Sequence, residues 1–431
     1  MEKIATDTYS FECLRQGGYV YVDKTDILLS LVDGSFGKQF FIARPRRFGK
    51  SLTVSTLQCL FEGRRDLFQG LAIEPKWDWS KTWPVLHLDM GSCQAEDVDT
   101  LRGRIHTMLL KEAARNKVAL VNDPDVSNQF NLLISELAAR SDDGRMVLLV
   151  DEYDKPLLGH LGQVDVVEFQ RELKAFYSVI KTCEGQQRFA FITGVSKFSK
   201  VSIFSDLNNL NEFSMDARVA ELFGYTHEEV QANFPESLKA LAQAYGWSDE
   251  ETFATLVTQY DGYRFHQNGR RMFNPVSIGK CLSAHEIRNF WFETGTPTFL
   301  LKLLKESPVD LADVVLDADS FSVYEPATPT MMPLLYQTGY LTITDSFREG
   351  LTTMYHLGFP NGEVRTAFSK AMANEFSELN PVDSTSLAQI KAKGYHEKYL
   401  RAGKRLTLIG AAFDAEMRNL SDRRIERTAQ A

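Results

Sequence analysis

Two short runs carry the residue types and spacings needed to handle a phosphorylated ligand. In Phe40-Phe41-Ile42-Ala43-Arg44-Pro45-Arg46-Arg47-Phe48-Gly49-Lys50-Ser51-Leu52 an apolar, strand-like run enters a polar loop closed by glycine, lysine and serine, and a helix-period stretch follows. A phosphate loop needs that order. Backbone N–H groups and a helix N-terminus surround the anion, a lysine reaches the terminal phosphates, and a hydroxyl holds Mg²⁺. The nucleotide-binding candidates are therefore Arg44, Pro45, Arg46, Arg47, Phe48, Gly49, Lys50, Ser51 and Leu52. Arg44 stands where the pattern G-x-x-x-x-G-K-[ST] has its first glycine, and Pro45 removes one N–H donor. The guanidinium groups of Arg44, Arg46 and Arg47 are expected to add donors to the anion site in exchange. Gly-Lys-Ser also occurs by chance at ordinary strand-to-helix turns, so the loop needs support from elsewhere.

That support is Arg145-Met146-Val147-Leu148-Leu149-Val150-Asp151-Glu152, an apolar run leading directly into two carboxylates. Open α/β sheets place ligands at the C-terminal ends of such strands. Asp151 is expected to hold Mg²⁺ with Ser51, the Asp151 share through water, and Glu152 to polarise the water that attacks the γ-phosphate. Lys50 and Glu152 are thus the leading catalytic candidates. Thr193 joins them as a sensor of the γ-phosphate at the end of the run Phe189 to Thr193, with Ser196 and Lys197 behind it; a structural turn is an equal alternative for each. Asp154 and Lys155 read as a surface ion pair.

The elements that must position these residues are short strand-like runs, Phe40 to Ala43, Val85 to Leu88, Met146 to Val150 and Phe189 to Thr193, alternating with helix-period stretches such as Leu52 to Phe61 and Asn131 to Ala139. Such alternation predicts a parallel sheet between helices, a three-layer α/β/α core of P-loop NTPase type over residues 1–215. Beyond it, Thr226 to Tyr245 and Glu250 to Gln259 predict a helical lid over 216–296. Leu334 to Ile343 and Tyr355 to Phe359 read as helix and strand of a small winged-helix-like module over 297–376. Leu387 to Leu400 and Arg405 to Phe413 read as helix and strand of a final segment, 377–431, too short to fold by itself.

The chain has 431 residues, a net charge of −9 and dispersed basic residues, so no whole-chain field advertises nucleic acid or an anionic membrane. Cys13, Cys59, Cys93, Cys183 and Cys281 are scattered, without metal-ligand spacing, and read as reduced thiols buried as small hydrophobes. Neither a signal-peptide pattern nor a membrane-spanning apolar run is present, which makes the cytoplasm the expected location and a membrane partner unexpected. The histidines show no ligand spacing, and no G-x-S-x-G elbow supports serine-hydrolase chemistry.

The runs YVDKTDIL (Tyr21 to Leu28), RPRRFGKSL (Arg44 to Leu52), PVLHLDM (Pro84 to Met90), LLVDEYDKPL (Leu148 to Leu157), ITGVSKFSKVSIFSDLNNL (Ile192 to Leu210), YDGYRF (Tyr260 to Phe265), FNPVS (Phe273 to Ser277), LLYQTGYLTI (Leu334 to Ile343) and FPNGEVR (Phe359 to Arg365) resemble the AAA-ATPase-like family, whose members are usually fused to a PD-(D/E)XK nuclease domain. The resemblance covers roughly the first 370 residues, and RPRRFGKS carries the family's arginine-proline start. It implies an Mg-ATP-dependent module with Lys50 and Ser51 on phosphates and metal, and Asp151 and Glu152 as the acidic pair. It also implies that YVDKT packs near the nucleotide and that YDGYRF and FNP belong to the lid, with Arg264 a candidate phosphate sensor.

The C-terminus departs from that pattern. Leu387 to Leu420 is similar to the closing helix and strand of the nuclease, but no upstream Asp strand exists, and Glu375-Phe376-Ser377 has serine where the catalytic lysine would sit. A nuclease-fold remnant without nuclease activity is the expectation. The leading function is ATP binding and hydrolysis, as a regulatory motor or switch for nucleic-acid processing. The alternatives are a nucleotide-gated interaction module that does not hydrolyse, and a DNA- or RNA-binding protein using Lys391 to Arg405. AAA-like relatives often assemble, so a homo-oligomer is a further candidate partner state.

Overall fold

A computed structural model describes residues 2–121, 123–198, 203–204, 207, 209–291, 311, 314–317, 325–377, 407–414 and 419–427. Helices α1 (Phe11–Gln16) and α2 (Thr25–Val32) precede β1 (Gln39–Ala43), whose chain turns directly into α3 (Lys50–Phe61). Next come β2 (Val85–Asp89), α4 (Val98–Arg115), α5 (Val126–Ala138), β3 (Met146–Asp151), α6 (Lys155–Leu158), α7 (Val166–Thr182), β4 (Gln187–Gly194) and the short β5 (Asn211–Glu212). All five strands pair in parallel, in the order β2-β3-β4-β1-β5. The four strand-like runs read from the sequence are thus strands, and both crossover helices are where the periodicity put them.

The order fixes where the helices lie. From β1 the chain crosses two strand positions to reach β2, then steps back through β3 to β4. Right-handed crossovers therefore put α3 on one face and α5 and α7 on the other. The packing follows suit: α3 meets α1, while α5 meets both α4 and α7. Every residue of β1 and β3 is buried, as a parallel sheet covered on both faces requires.

After residue 215 the chain builds a second hydrophobic core from α8 (His227–Asn233), α9 (Pro235–Tyr245), α10 (Asp249–Tyr260) and α11 (Pro275–Ala284). Val230, Leu241, Leu256, Phe273, Ile278 and Phe290 share that core, joined by Val22 from the N-terminal segment. The helix-like stretch Thr226 to Tyr245 is made of two helices. Pro235 lacks an N–H and crowds the preceding turn, so α8 ends and α9 restarts with proline in its first turn.

Further on, β6 (Val314–Asp317), α12 (Met331–Gln337), β7 (Thr342–Glu349), β8 (Thr352–Gly358) and α13 (Gly362–Ser377) follow, with an antiparallel sheet ordered β6-β8-β7. Residues Met1–Phe368 form one compact unit and Ser369–Ala431 a second. The second unit contains an antiparallel pair of β9 (Thr407–Asp414), within the run read as a strand, and β10 (Asn419–Arg427). Leu387 to Leu400, with Gln389 and Tyr395, lies outside the described residues, as does Lys391 to Arg405. Glu375 to Ser377 lies in helix α13, not on the strand that a nuclease carboxylate would occupy.

Four of the five cysteines are buried, as expected of small hydrophobes, whereas Cys13 is exposed. No described helix is long and apolar enough to cross a membrane.

Candidate phosphate-loop site

The loop between β1 and α3 turns without a glycine at position 44, because the left-handed conformations fall elsewhere. Arg47 has φ of 68° and Gly49 of 91°, and Gly49 is the residue that precedes α3. Arg44 carries no such demand; its N–H donates to Gly194 O of β4 at 3.1 Å. Its guanidinium points into the core, not toward an anion. It donates to the carbonyls of Ala43 at 2.9 Å and Ser214 at 2.6 Å and lies 4.3 Å over the Phe265 ring. At 2 % exposure this side chain cannot reach a ligand, and burial pulls the guanidinium down to about 10, still protonated at neutral pH. The expectation that Arg44 supplies phosphate donors is thus corrected: it braces the loop from behind. Arg47 donates to Phe290 O at 2.7 Å, and Arg46 is the one of the three whose side chain is exposed.

Lys50 is buried, and its ammonium donates to the carbonyls of Arg44 at 3.1 Å and Pro45 at 2.9 Å. Burial lowers its pKa below the ordinary lysine range, opposed by the carboxylates of Asp151, Asp154 and Glu152. The Ser51 hydroxyl hydrogen-bonds the Asp151 carboxyl, which burial raises above the usual carboxylate range while Ser51 and Lys50 pull it down. The end of β1 and the end of β3 thus converge on one lysine, one hydroxyl and one carboxylate, although β4 separates the two strands.

Glu152 leaves the end of β3 with φ of 50°, a left-handed conformation that costs a non-glycine residue on the order of 1 kcal/mol or more. Its carboxylate pairs with Lys155 at 3.4 Å and lies against Gly91, where a Cβ would come within 2.8 Å of Glu152 Oε2 and 2.9 Å of Asp89 Oδ1. Asp89 pairs in register with Asp151 and had been passed over in the sequence, though PVLHLDM ends an apolar run in a carboxylate just as β3 does. Asp154 is no surface residue. It is 1 % exposed and accepts from the backbone N–H of Val195 at 3.2 Å and Ser196 at 2.6 Å, while Lys155 turns to Glu152.

Thr193 sits at the end of β4, between the loop strand and the acidic strand, but its hydroxyl donates to Ile42 O at 2.8 Å and stitches β4 to β1. Lys197 is drawn away to Glu212 at 2.7 Å. Phe48 packs edge-on against Tyr263 and Phe265, with ring centroids 4.7 and 5.2 Å away. Arg264, between these two rings in sequence, is half-buried, and its backbone N–H donates to Thr342 Oγ1 at 2.8 Å. Pro45 and Leu52 complete the loop, the first buried and the second half-buried.

The segments after residue 215 reach the loop through three residues, Asn274, Glu363 and Gly339. Asn274 caps α11, accepting from Val276 and Ser277 N–H, and its amide also reaches Arg46 O at 3.4 Å. An Asn-Pro pair before an apolar helical stretch is a readable cap signal. Buried Glu363 accepts from the N–H groups of Phe290 and Trp291, next to the carbonyl that holds Arg47. On the other side, Gly339 follows α12 with φ of 87° and faces Pro45, where a Cβ would approach Pro45 Cβ to 2.8 Å and Trp291 to 3.0 Å. Gly339→Ala is therefore expected to destabilise the protein by about 2 kcal/mol in urea denaturation, from backbone strain and crowding together. A change under about 0.5 kcal/mol would show that this contact does not constrain the loop.

Among proteins of known sequence, the model of the family described as "Predicted AAA-ATPase" matches residues 5–204. An uncharacterised protein in the vnfD 5′ region of Azotobacter chroococcum mcd 1 is 38% identical over 377 residues, which cover 86% of this chain and 70% of that protein. The match spans β1 to β4 with their loop, lysine and acidic pair, and likeness to the relative runs on well beyond them. The chain belongs to the AAA-ATPase-like family of predicted AAA-ATPases.

Proposed function

We propose that this protein binds Mg-ATP at the loop Arg44 to Leu52 and hydrolyses it with Glu152. The observation that carries this proposal is the convergence of Lys50, Ser51 and Asp151 from the ends of two strands onto one helix N-terminus. The Lys50 ammonium donates to two loop carbonyls, from which a triphosphate can draw it toward the anion. The N–H groups at the start of α3 and the helix dipole act in the same direction.

The donor set fits Mg²⁺. Ser51 and Asp151 offer two hard oxygen ligands, one of them anionic, and the remaining positions suit water and phosphate oxygens. When bound, the ion neutralises charge on the phosphates. Glu152 is the one carboxylate of the acidic pair with room to move, so it takes the role of orienting water and accepting its proton. Thr193 acts by holding β4 against β1. Asp89 and Gly91 set the space in which Glu152 turns.

We also assign residues 1–215 to the ATPase core, 216–296 to a lid and 297–376 to a winged-helix-like module. Helix α12, set in the chain between β6 and the β7–β8 pair of a three-stranded antiparallel sheet, supports that last assignment. The hairpin of β9 and β10 is what supports a nuclease-fold remnant over 377–431. A nucleotide-gated switch without hydrolysis is the second reading, favoured by the ion pair that occupies Glu152 through Lys155.

Lys50→Ala is the direct test. Its loss removes the loop's lysine ammonium from the terminal phosphates, and ATP affinity is expected to fall about 100-fold, or about 2.7 kcal/mol. Far-UV circular dichroism on the same variant checks that the fold survives, since the buried Asp151 and Asp154 lose a neighbouring cation. Unchanged affinity by calorimetry would rule out this loop as the phosphate site.

A further inference from the structure

Helix α12 ends at the junction of the two halves of the site. Just past the helix Gly339 faces Pro45 of the phosphate loop, and Gln337, the last residue of the helix, meets the chain leaving β4. The Gln337 side chain grips both backbone groups of Lys197: its Oε1 accepts from Lys197 N–H at 2.6 Å, and its Nε2 donates to Lys197 O at 3.4 Å. We propose that Gln337 is a positioning residue for ATP hydrolysis, which couples the segment carrying α12 to the turn carrying Glu152 and so sets turnover without setting ATP affinity. The proposal rests on the reading of Glu152 as the hydrolytic carboxylate.

The path from Gln337 to Glu152 is hydrogen-bonded at each step. Val195 and Ser196, the two residues before Lys197, donate their N–H groups to the Asp154 carboxylate at 3.2 and 2.6 Å. The Tyr153 hydroxyl donates to Ser196 O at 3.0 Å and accepts from Phe198 N–H at 3.4 Å, while Tyr153 N–H donates to Thr193 O at 3.1 Å. Residues 153 and 154 are thus laced to 193–198 on both sides of the residue that Gln337 holds. Tyr153, Asp154 and Ser196 are all buried, so water does not replace these bonds and a displacement of one group passes to the next.

Glu152 needs that support. A non-glycine residue keeps a φ of 50° only where its surroundings over-determine it, and the contact of its own carboxylate with Lys155 is partly solvated. The two residues that follow it therefore fix where the carboxylate reaches. Phosphate binding rests instead on Lys50, Ser51 and the start of α3, which hang from β1 outside this path.

Close packing does not supply the link in place of the amide. Tyr336 and Gln337 face Pro45 and Val195 across a cleft of about 30 Å³. The rest of α12, Met331-Met332-Pro333-Leu334-Leu335-Tyr336, is apolar or aromatic, and a buried amide at its end is tolerated because the Lys197 backbone pairs it.

The test is steady-state ATP hydrolysis and calorimetric ATP binding by the full chain carrying Gln337→Leu, of similar volume, or Gln337→Glu, which keeps an acceptor for Lys197 N–H. Gln337→Leu is expected to lower kcat about tenfold with ATP affinity within about twofold of wild type, and Gln337→Glu to keep kcat within about threefold. A residue serving stability alone would lower the unfolding temperature and leave kcat, measured well below it, unmoved. If the leucine variant does not fold, Gln337→Asn, which withdraws the amide by one methylene, takes its place and must show the same fall. Wild-type kcat in that variant, an ATP affinity that falls in step with kcat, or a glutamate variant as slow as the leucine one overturns the coupling and leaves Glu152 in its role. Wild type that binds ATP without turning it over removes the role of Glu152 and the coupling with it.

Discussion

Glu152→Gln is expected to reduce ATP turnover by a factor of about 10²–10³, or about 3–4 kcal/mol of transition-state stabilisation, while ATP still binds. The amide keeps the size and the left-handed backbone of Glu152 but cannot accept a proton from water. Binding survives because Lys50, Ser51 and Asp151 are untouched. The lost contact to Lys155 is partly solvated and contributes little. Phosphate release and nucleotide affinity measured on the same preparation check this. Turnover within a few-fold of wild type would remove Glu152 from the chemistry, and binding without turnover in both proteins would favour the nucleotide-gated switch.

Arg44→Gly restores the residue that ordinarily opens a phosphate loop, yet it is expected to destabilise the protein by about 3–4 kcal/mol. The substitution leaves the Ser214 and Val219 carbonyls without their guanidinium donor and empties a buried volume beside Phe265 and Phe223. Nothing is gained in exchange, because the positive φ angles of the loop lie at Arg47 and Gly49. Arg44→Lys should also destabilise, since a single ammonium cannot reproduce the fork on the carbonyls of Ala43, Ser214 and Val219. Urea denaturation would measure both. A glycine variant as stable as wild type, with tighter ATP binding, would contradict the bracing role.

Some errors of sequence reading share one physical cause. Arg44 and Asp154 are charged residues in polar-looking segments, and such residues are exposed far more often than buried. Their burial depends on acceptors and donors supplied by segments far along the chain: Ser214 for Arg44, Val195 and Ser196 for Asp154. No local pattern encodes those partners. Thr193 was placed correctly at a strand end, but the partner of its hydroxyl, Ile42, is known only once β4 is seen to lie beside β1.

The sequence by itself determined the strands β1 to β4, the crossover helices, the loop that ends in Gly49-Lys50-Ser51 and the pair Asp151-Glu152. Each of these is local, written in periodicity and in residue types at fixed spacing. Only the tertiary structure decided that β4 lies between the loop strand and the acidic strand, that Arg44 faces inward, that Asp89 stands beside Glu152, and that Gln337 of α12 meets Lys197. These depend on strand order and on contacts between segments far apart along the chain, which burial of a shared core selects and no single stretch of sequence contains.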